Sequence, residues 1–429
     1  MGTLLIKNGR LIDPSRGQDT LGDLLLVDGA IAKPGPVSGT VDRTIDATGL
    51  IVAPGFIDSH VSFREPGSDE DETIASGASA ALAGGFTTVA CLPETMPVTD
   101  SRASAEFIAR QGERASRCRV LPIGAVTKNR EGKELSEIGQ LIEGGAVGFS
   151  DGKQPIANAE IMRRALQYTR MWNRPILHHA QVPELVQGGI MHEGYQSTVF
   201  GLQGMPAAAE EIMVRRDIAL VETTGGRIHL MSLSSRRSVE EVRQAIGRGM
   251  AVTADVTPHH LLLTDECLAG YNTHFKVDPP FRSSDHRDAL IEGLKDGTIG
   301  LIASDHQPYA EEKKNLEIDH APFGIVGLET LLPLCVEALI LPGHLTWLQF
   351  LEKITFGPAR LLGLSTGTLQ AGRPADVTLI DPEARWQIDA RQFHSRSHNT
   401  PFNGRAAHGR VEYTIVGGEV KYARPGRQP

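Results

Sequence analysis

The run Pro54-Gly55-Phe56-Ile57-Asp58-Ser59-His60-Val61-Ser62-Phe63-Arg64-Glu65-Pro66-Gly67 sets an imidazole, a hydroxyl and a guanidinium at alternate positions just after an apolar stretch. Leu50 to Ile57 reads as a buried strand, and the polar residues begin where that strand should end, at His60. Residues two apart on a strand share a face, so a His-X-His pair here would bring two imidazoles to one metal ion. The second place is Ser62, whose hydroxyl is a poor zinc ligand. In a barrel of parallel strands the carboxyl ends form the catalytic rim. The plain alternative for a lone histidine at a strand end is a hydrogen-bonded rim residue.

The elements that must position these groups follow from the rest of the chain. At 429 residues it is long enough for one large barrel and a smaller domain. With 40% hydrophobic and 22% charged residues it has the composition of a soluble globular protein, and a formal charge of −9 argues against nucleic-acid or membrane-surface binding. Cys91, Cys118, Cys267 and Cys335 form no Cys-X-X-Cys pair and fit a reducing cytoplasm. No long apolar leader precedes Asn8-Gly9, and no stretch reaches the ~20 apolar residues that span a bilayer.

Short β signals, Leu4–Lys7 and Leu24–Val27, are closed by Asn8-Gly9 and Asp28-Gly29, pairs that favour tight turns. The pattern returns in 376–380 and 411–416. This predicts a small β-sandwich built from both termini, residues 1–53 plus 361–429. Between them, apolar strand-like runs at 86–92, 119–123, 147–149, 175–178, 227–231, 251–256 and 300–303 alternate with helix-like segments such as 101–115, 133–143, 210–223 and 239–248. The alternation predicts a TIM-like (β/α)8 barrel over 54–360. No Gly-X-Gly-X-X-Gly follows a strand to favour a doubly wound sheet.

The stretch from Pro54 to Gly67 resembles the cyclic amidohydrolases, and the dihydroorotase family in particular, whose strand reads Pro-Gly-Phe-Ile-Asp-X-His-X-His-X-Arg-Glu-Pro-Gly. The resemblance runs through nearly the whole chain. It is well kept in Ala254 to Glu266, Ala289 to Ile302, Ala321-Pro322-Phe323-Gly324 with Gly327-Leu328-Glu329-Thr330, and Asn399 to Gly404. It implies the amidohydrolase barrel and a site that, in the family, holds two zinc ions.

Residue by residue, the resemblance puts His60 at the first ligand and Ser62 at the second. The bridging carboxylate of an Asp-Asp-Gly turn falls on Gly152 in Ser150-Asp151-Gly152-Lys153, although a one-residue shift would restore Asp151. His179, or less well His178, matches the next histidine, and Ser232 stands at the one after. Asp305 matches the late aspartate that binds metal and accepts the proton of the attacking water. His259 and His260 are kept, with scaffold hydrogen bonding beside Pro258 as their plain reading. On the substrate side Arg64 is retained, whereas Glu94 replaces the asparagine of Met-Pro-Asn-Thr, Asp278 replaces a second asparagine, and Tyr309 replaces a histidine. A carboxylate at 94 would repel a substrate carboxylate and is expected to pair with Arg64.

With both half-sites and the clamp altered, the sequence reading is a non-catalytic member of this family. It would have no zinc, keep His60, His179, Asp305 and Arg64 as vestiges, and act in the cytoplasm. The resemblance to inactive homologues implies a role as an assembly subunit for the aspartate carbamoyltransferase catalytic chain, self-associating within a hetero-oligomer. Two alternatives stand beside it. One is an active cyclic-amide hydrolase, of dihydroorotase or hydantoinase type, with a rebuilt metal site. The other is a module that senses a pyrimidine intermediate.

Overall fold

The computed structural model describes residues 2–33, 35 and 40–427. Strands β1 (Thr3–Asp13), β2 (Gln18–Val27), β3 (Ala30–Ile31), β4 (Arg43–Asp46) and β5 (Ile51–Pro54) open the chain. The barrel strands are β6 (Phe56–Val61), β7 (Phe86–Cys91), β8 (Arg119–Gly124), β9 (Gly148–Phe149) and β10 (Ile176–His178). A small ribbon, β11 (Met191–His192) with β12 (Gly204–Met205), interrupts them before β13 (Ile228–Leu230), β14 (Val252–Val256) and β15 (Leu301–Ile302) complete the series. The chain ends with β16 (Val377–Gln387), β17 (Ala406–Val416) and β18 (Glu419–Ala423).

Eight strands from β6 to β15 form one parallel sheet with helices between them. Its two edges are brought together at the strand ends, where Ser62 N donates to His306 O at 3.0 Å and Ser304 N donates to Asp58 Oδ2 at 3.0 Å. This is the expected barrel. Ile57, Ala90, Ile123, Leu177, Met231 and Leu301 pack together just ahead of the polar strand ends, with Leu361 and Leu362 from the helix Phe356–Leu362. An interior filled by side chains leaves the polar chemistry to the carboxyl rim.

Both termini contribute to the second sheet, in the order β18-β17-β16-β5-β1-β2-β3 with β4 on β1. Its core joins Leu4, Ile6, Leu26 and Val52 to Val377, Leu379, Tyr413 and Ile415. No described helix is long and apolar enough to cross a membrane.

Two local readings change. The apolar run Leu50–Ile57 is two strands, since β5 pairs with β1 and β16 of the terminal sheet whereas β6 opens the barrel. Gly55 is the joint, and its N–H donates to Asp376 O at 2.9 Å. The helix expected over 133–143 is formed only from Ile138 to Glu143. Ahead of it the chain folds back on itself, with Lys128 N donating to Glu134 O at 2.9 Å.

Gly55 has no room for a side chain, because a Cβ there would lie 2.2 Å from Thr87 Cγ2, and Thr87 is fully buried. Gly55→Ala should therefore cost about 1–3 kcal/mol, read as a lower urea midpoint with an unchanged slope. An unchanged midpoint would show that this joint tolerates crowding.

Candidate active site

The site is built on a buried carboxylate. Asp255, on β14, has no exposed surface and accepts from His60 Nε2 at 2.8 Å, His229 Nε2 at 2.8 Å and Ser232 N at 2.7 Å. Burial alone would raise its pKa, but His60, first among its neighbours, and His229 hold it well below the carboxylate range. Burial likewise depresses His60, and Asp255, then Asp305 and Asp58, outweigh that and raise it to about 9. The His60 ring is thus fixed from behind, with Nδ1 turned toward Asp305 Oδ1 at 3.8 Å.

Asp305 has a left-handed backbone, φ 48°, and one carboxylate oxygen, Oδ2, accepts from Lys153 Nζ at 2.8 Å. The same ammonium donates to the Asp278 carbonyl at 2.8 Å. Burial works against the charge on Lys153, and Asp305, then Asp278, raise its pKa above the ordinary value. Asp278 Oδ2 lies 3.2 Å from His179 Nε2 and accepts from Gln181 Nε2 at 3.1 Å. Beside His179 and Ser232 lies a cavity of ≈ 10 Å³, room for about one water.

The other pole is Glu94. Its carboxylate accepts from Ser62 Oγ at 2.7 Å, Lys153 N at 2.8 Å and Arg130 Nη2 at 3.2 Å, and Arg64 Nη1 lies 3.6 Å away. Burial opposes its charge, but Arg64 first, then Arg130 and these hydrogen bonds, bring its pKa down to about 2. Arg64 donates to Gln307 Oε1 at 2.8 Å, and its guanidinium lies 4.7 Å over the Tyr309 ring. Gly152 has φ 62°, and a Cβ there would sit 2.4 Å from Glu94 Oε1. The carboxylate of Glu94 therefore fills the volume that a side chain at 152 would need.

The structure gathers His60, Ser62, Arg64, Glu94, His179, Asp278 and Asp305 at one mouth and leaves other candidates out. Asp151 is turned away, its carboxylate taking the N–H groups of Val126 and Thr127 at 2.9 and 3.0 Å and the Thr127 hydroxyl at 2.5 Å. A one-residue shift does not restore it to the cluster. His178 is structural, with Nδ1 2.6 Å from Asp217 Oδ2 and Nε2 accepting from Ile156 N at 3.0 Å. His260 bonds Thr257 Oγ1 and Pro279 O, as a scaffold histidine would, whereas His259 Nε2 is buried without a partner. Burial lowers both rings to about 3. Lys153, Arg130, Gln181 and Asp255 were not picked out from the sequence, although a lysine directly after the Asp151-Gly152 turn was a visible signal.

Catalytic zinc is typically held by three protein ligands. Among the described residues no three His, Cys, Asp or Glu side chains are gathered so as to hold one ion. In this arrangement the residues do not fit a zinc ion, because Lys153 takes the cationic place on Asp305.

Residues 49–238 match the family described as dihydro-orotase-like, and 326–422 match the amidohydrolase family. A dihydroorotase of Pelotomaculum thermopropionicum is 49% identical over 97% of this chain and 98% of its own length. One from Solibacter usitatus is 46% identical over 98% of each. Among solved structures, the L-hydantoinase (dihydropyrimidinase) of Arthrobacter aurescens superposes with a TM-score of 0.88 at 27% identity, covering 98% of this chain and 96% of its own. The D-hydantoinase of a Thermus species gives 0.80 at 25% identity, covering 99% and 96%.

These relatives overturn the reading of the chain as a non-catalytic assembly subunit. Proteins this similar along their full length carry the names of enzymes, and the expectation that this one is no enzyme is withdrawn. The expectation of no cofactor falls with it, since the zinc of the family comes with the same relatives. That reading rested on the losses at both half-sites and in the clamp taken together. In space, a carboxylate absent at 152 stands at 94, and a second stands at 278 beside His179.

Glu94→Gln should destabilise the protein by up to about 3 kcal/mol at neutral pH, following the fall of the Glu94 pKa from 4.5 to about 2. The sign follows from that depressed value: the contribution is complete above 4.5 and is lost as pH falls toward 2. Urea unfolding of both proteins across this range should show the gap closing with acid, and a gap independent of pH would contradict it.

Proposed function

Because the chain belongs to the dihydroorotase family of the amidohydrolase superfamily, we propose that it is a hydrolase of a cyclic amide, of dihydroorotase or hydantoinase type, with an altered cation site. The observation that carries this is the 49% identity to a dihydroorotase over 97% of the chain. The site supplies groups that such a ring opening needs. Asp305, with Oδ2 held by Lys153 and Oδ1 without a partner, is the group set to accept a proton from water. Asp255 fixes His60 beside it.

The substrate side favours a second form of the same reading. Arg64 is retained, but Glu94 already lies against it, at 3.6 Å. A ring that carries a carboxylate, as dihydroorotate does, must displace Glu94 or face a repulsion of up to ~4 kcal/mol at ~4 Å with an effective dielectric of ~20. An uncharged ring, dihydrouracil or hydantoin, meets no such charge. Association with an aspartate carbamoyltransferase chain is a separate proposal, tested by co-expression and size exclusion, and separate elution would remove it.

Purified protein supplied with Zn²⁺, Co²⁺ or Mn²⁺ should open at least one of dihydroorotate, dihydrouracil and hydantoin, followed by loss of ring absorbance. Failure with all three, under each metal, would end the hydrolase reading. Glu94→Asn should raise kcat/KM for dihydroorotate relative to dihydrouracil by about 10–100-fold, the size expected when part of such a repulsion is relieved. An unchanged ratio would mean that Glu94 does not face the substrate.

A further inference from the structure

Away from the barrel mouth, a cleft of ≈ 230 Å³ opens where the terminal sheet meets the barrel, and none of the residues gathered at the mouth lines it. Its floor is apolar, with Leu332 and Pro333 of the helix Leu331–Cys335 both buried. Its walls are aromatic: Trp386 on β16, Tyr422 on β18, and Phe393 from the segment between β16 and β17, all half-buried. Planar faces of this kind receive another ring by offset or edge-on stacking.

The charges around the cleft do not balance. Glu329 is met by His394 Nδ1 at 3.1 Å and by the N–H groups of His394 and Ser395 at 2.7 and 3.1 Å. Asp389 is met by Arg391 Nε and Nη2 at 2.9 and 3.0 Å. Arg410 is different. Its guanidinium lies 4.5 Å over the Trp386 ring, and among the described residues no carboxylate is paired with it. Glu412, two residues along β17, is taken by Arg424 at 2.8 Å and Arg427 at 2.6 Å. Burial first, then Arg424, lowers the Arg410 pKa below its ordinary value. A cation so placed gains from an anion that brings its own charge into the cleft, and a guanidinium meets a carboxylate through two parallel hydrogen bonds.

We propose that this cleft is a second binding site, for a planar aromatic acid whose ring packs among Trp386, Phe393 and Tyr422 and whose carboxylate is held by Arg410. Its volume lies below the ~300 Å³ at which pockets for drug-sized molecules begin, which limits the ligand to one or two rings. The site is separate from the barrel mouth and does not depend on the reaction assigned there.

Full-length protein is titrated by calorimetry with naphthalene-2-carboxylate and with its uncharged counterpart, naphthalene-2-carboxamide. The acid should bind at least about tenfold more tightly than the amide. Arg410→Met should remove that preference by weakening the acid alone, and Ala83→Phe, which places a ring in the cleft, should weaken both. Arg130→Met, at the barrel mouth, should leave both titrations as they are. Circular dichroism checks that each variant folds, and Arg410→Gln carries the same expectation if the methionine variant does not. No saturable binding up to the solubility limit of the acid, equal affinity for acid and amide, or an acid affinity untouched by loss of Arg410 overturns the proposal. So does a loss of binding in Arg130→Met, which would place the acid at the mouth.

Discussion

A carboxylate with no exposed surface must have its charge and lone pairs met by the protein, and Asp255 imposes that demand at the centre of the barrel. The donors come from three places along the chain: His60 on β6, His229 on β13 and the Ser232 backbone just beyond it. Ser232 reaches Asp255 through its N–H with a left-handed backbone at φ 51°. A histidine is not needed at 232 for this bond, since the main chain makes it. Losing a ligand at that place is therefore compatible with an intact strand end, and the positioning of His60 survives the change.

Glu94 and Gly152 show the same economy in another pair. A buried carboxylate at 94 would be costly without positive partners, and Arg64, Arg130 and the Lys153 N–H supply them. It also requires empty space at 152, which only glycine leaves, because a Cβ there would lie 2.4 Å from its oxygen. The two residues are one structural change rather than two independent losses. Asp278 beside His179 and Lys153 on Asp305 form a second linked pair, the negative charge at 278 standing near the positive one at 153.

This linkage explains what the sequence made legible and what it did not. The barrel strands were readable because parallel strands covered on both faces appear as apolar, β-branched runs between helices, as in Phe86–Cys91 and Val252–Val256. His60 was readable because strand ends fix where rim residues project, and His179, Arg64 and Asp305 through the resemblance to the family's motifs. The division of Leu50–Ile57 was hidden, since one continuous apolar run serves two sheets equally well and only Gly55 marks the joint. The folded-back segment before Ile138 was hidden for another reason: Asp151, distant in sequence, organises it by taking the Val126 and Thr127 N–H groups. The same holds for Lys153, Arg130 and Gln181, whose partners lie on other strands. The notion of an inert shell rested on the joint loss of ligands at both half-sites and in the clamp, and the sequence did not show that Glu94 and Asp278 stand in space beside Gly152 and His179.

The charge balance at the mouth constrains any ligand that enters. Arg64, Arg130 and Lys153 face Glu94, Asp278 and Asp305, and their side chains are between 5% and 20% exposed. Groups this far from water are weakly screened by salt, so their mutual attraction is largely kept at physiological ionic strength. Inserting a net charge among them is then unfavourable unless a like charge leaves. Arg64 is held by Gln307 and stacked on Tyr309, and Asp305 is held by Lys153. An uncharged ring needs no such exchange. Selectivity at this mouth is thus tied to its built-in ion pairs, Arg64 with Glu94 and Lys153 with Asp305, rather than to any single residue.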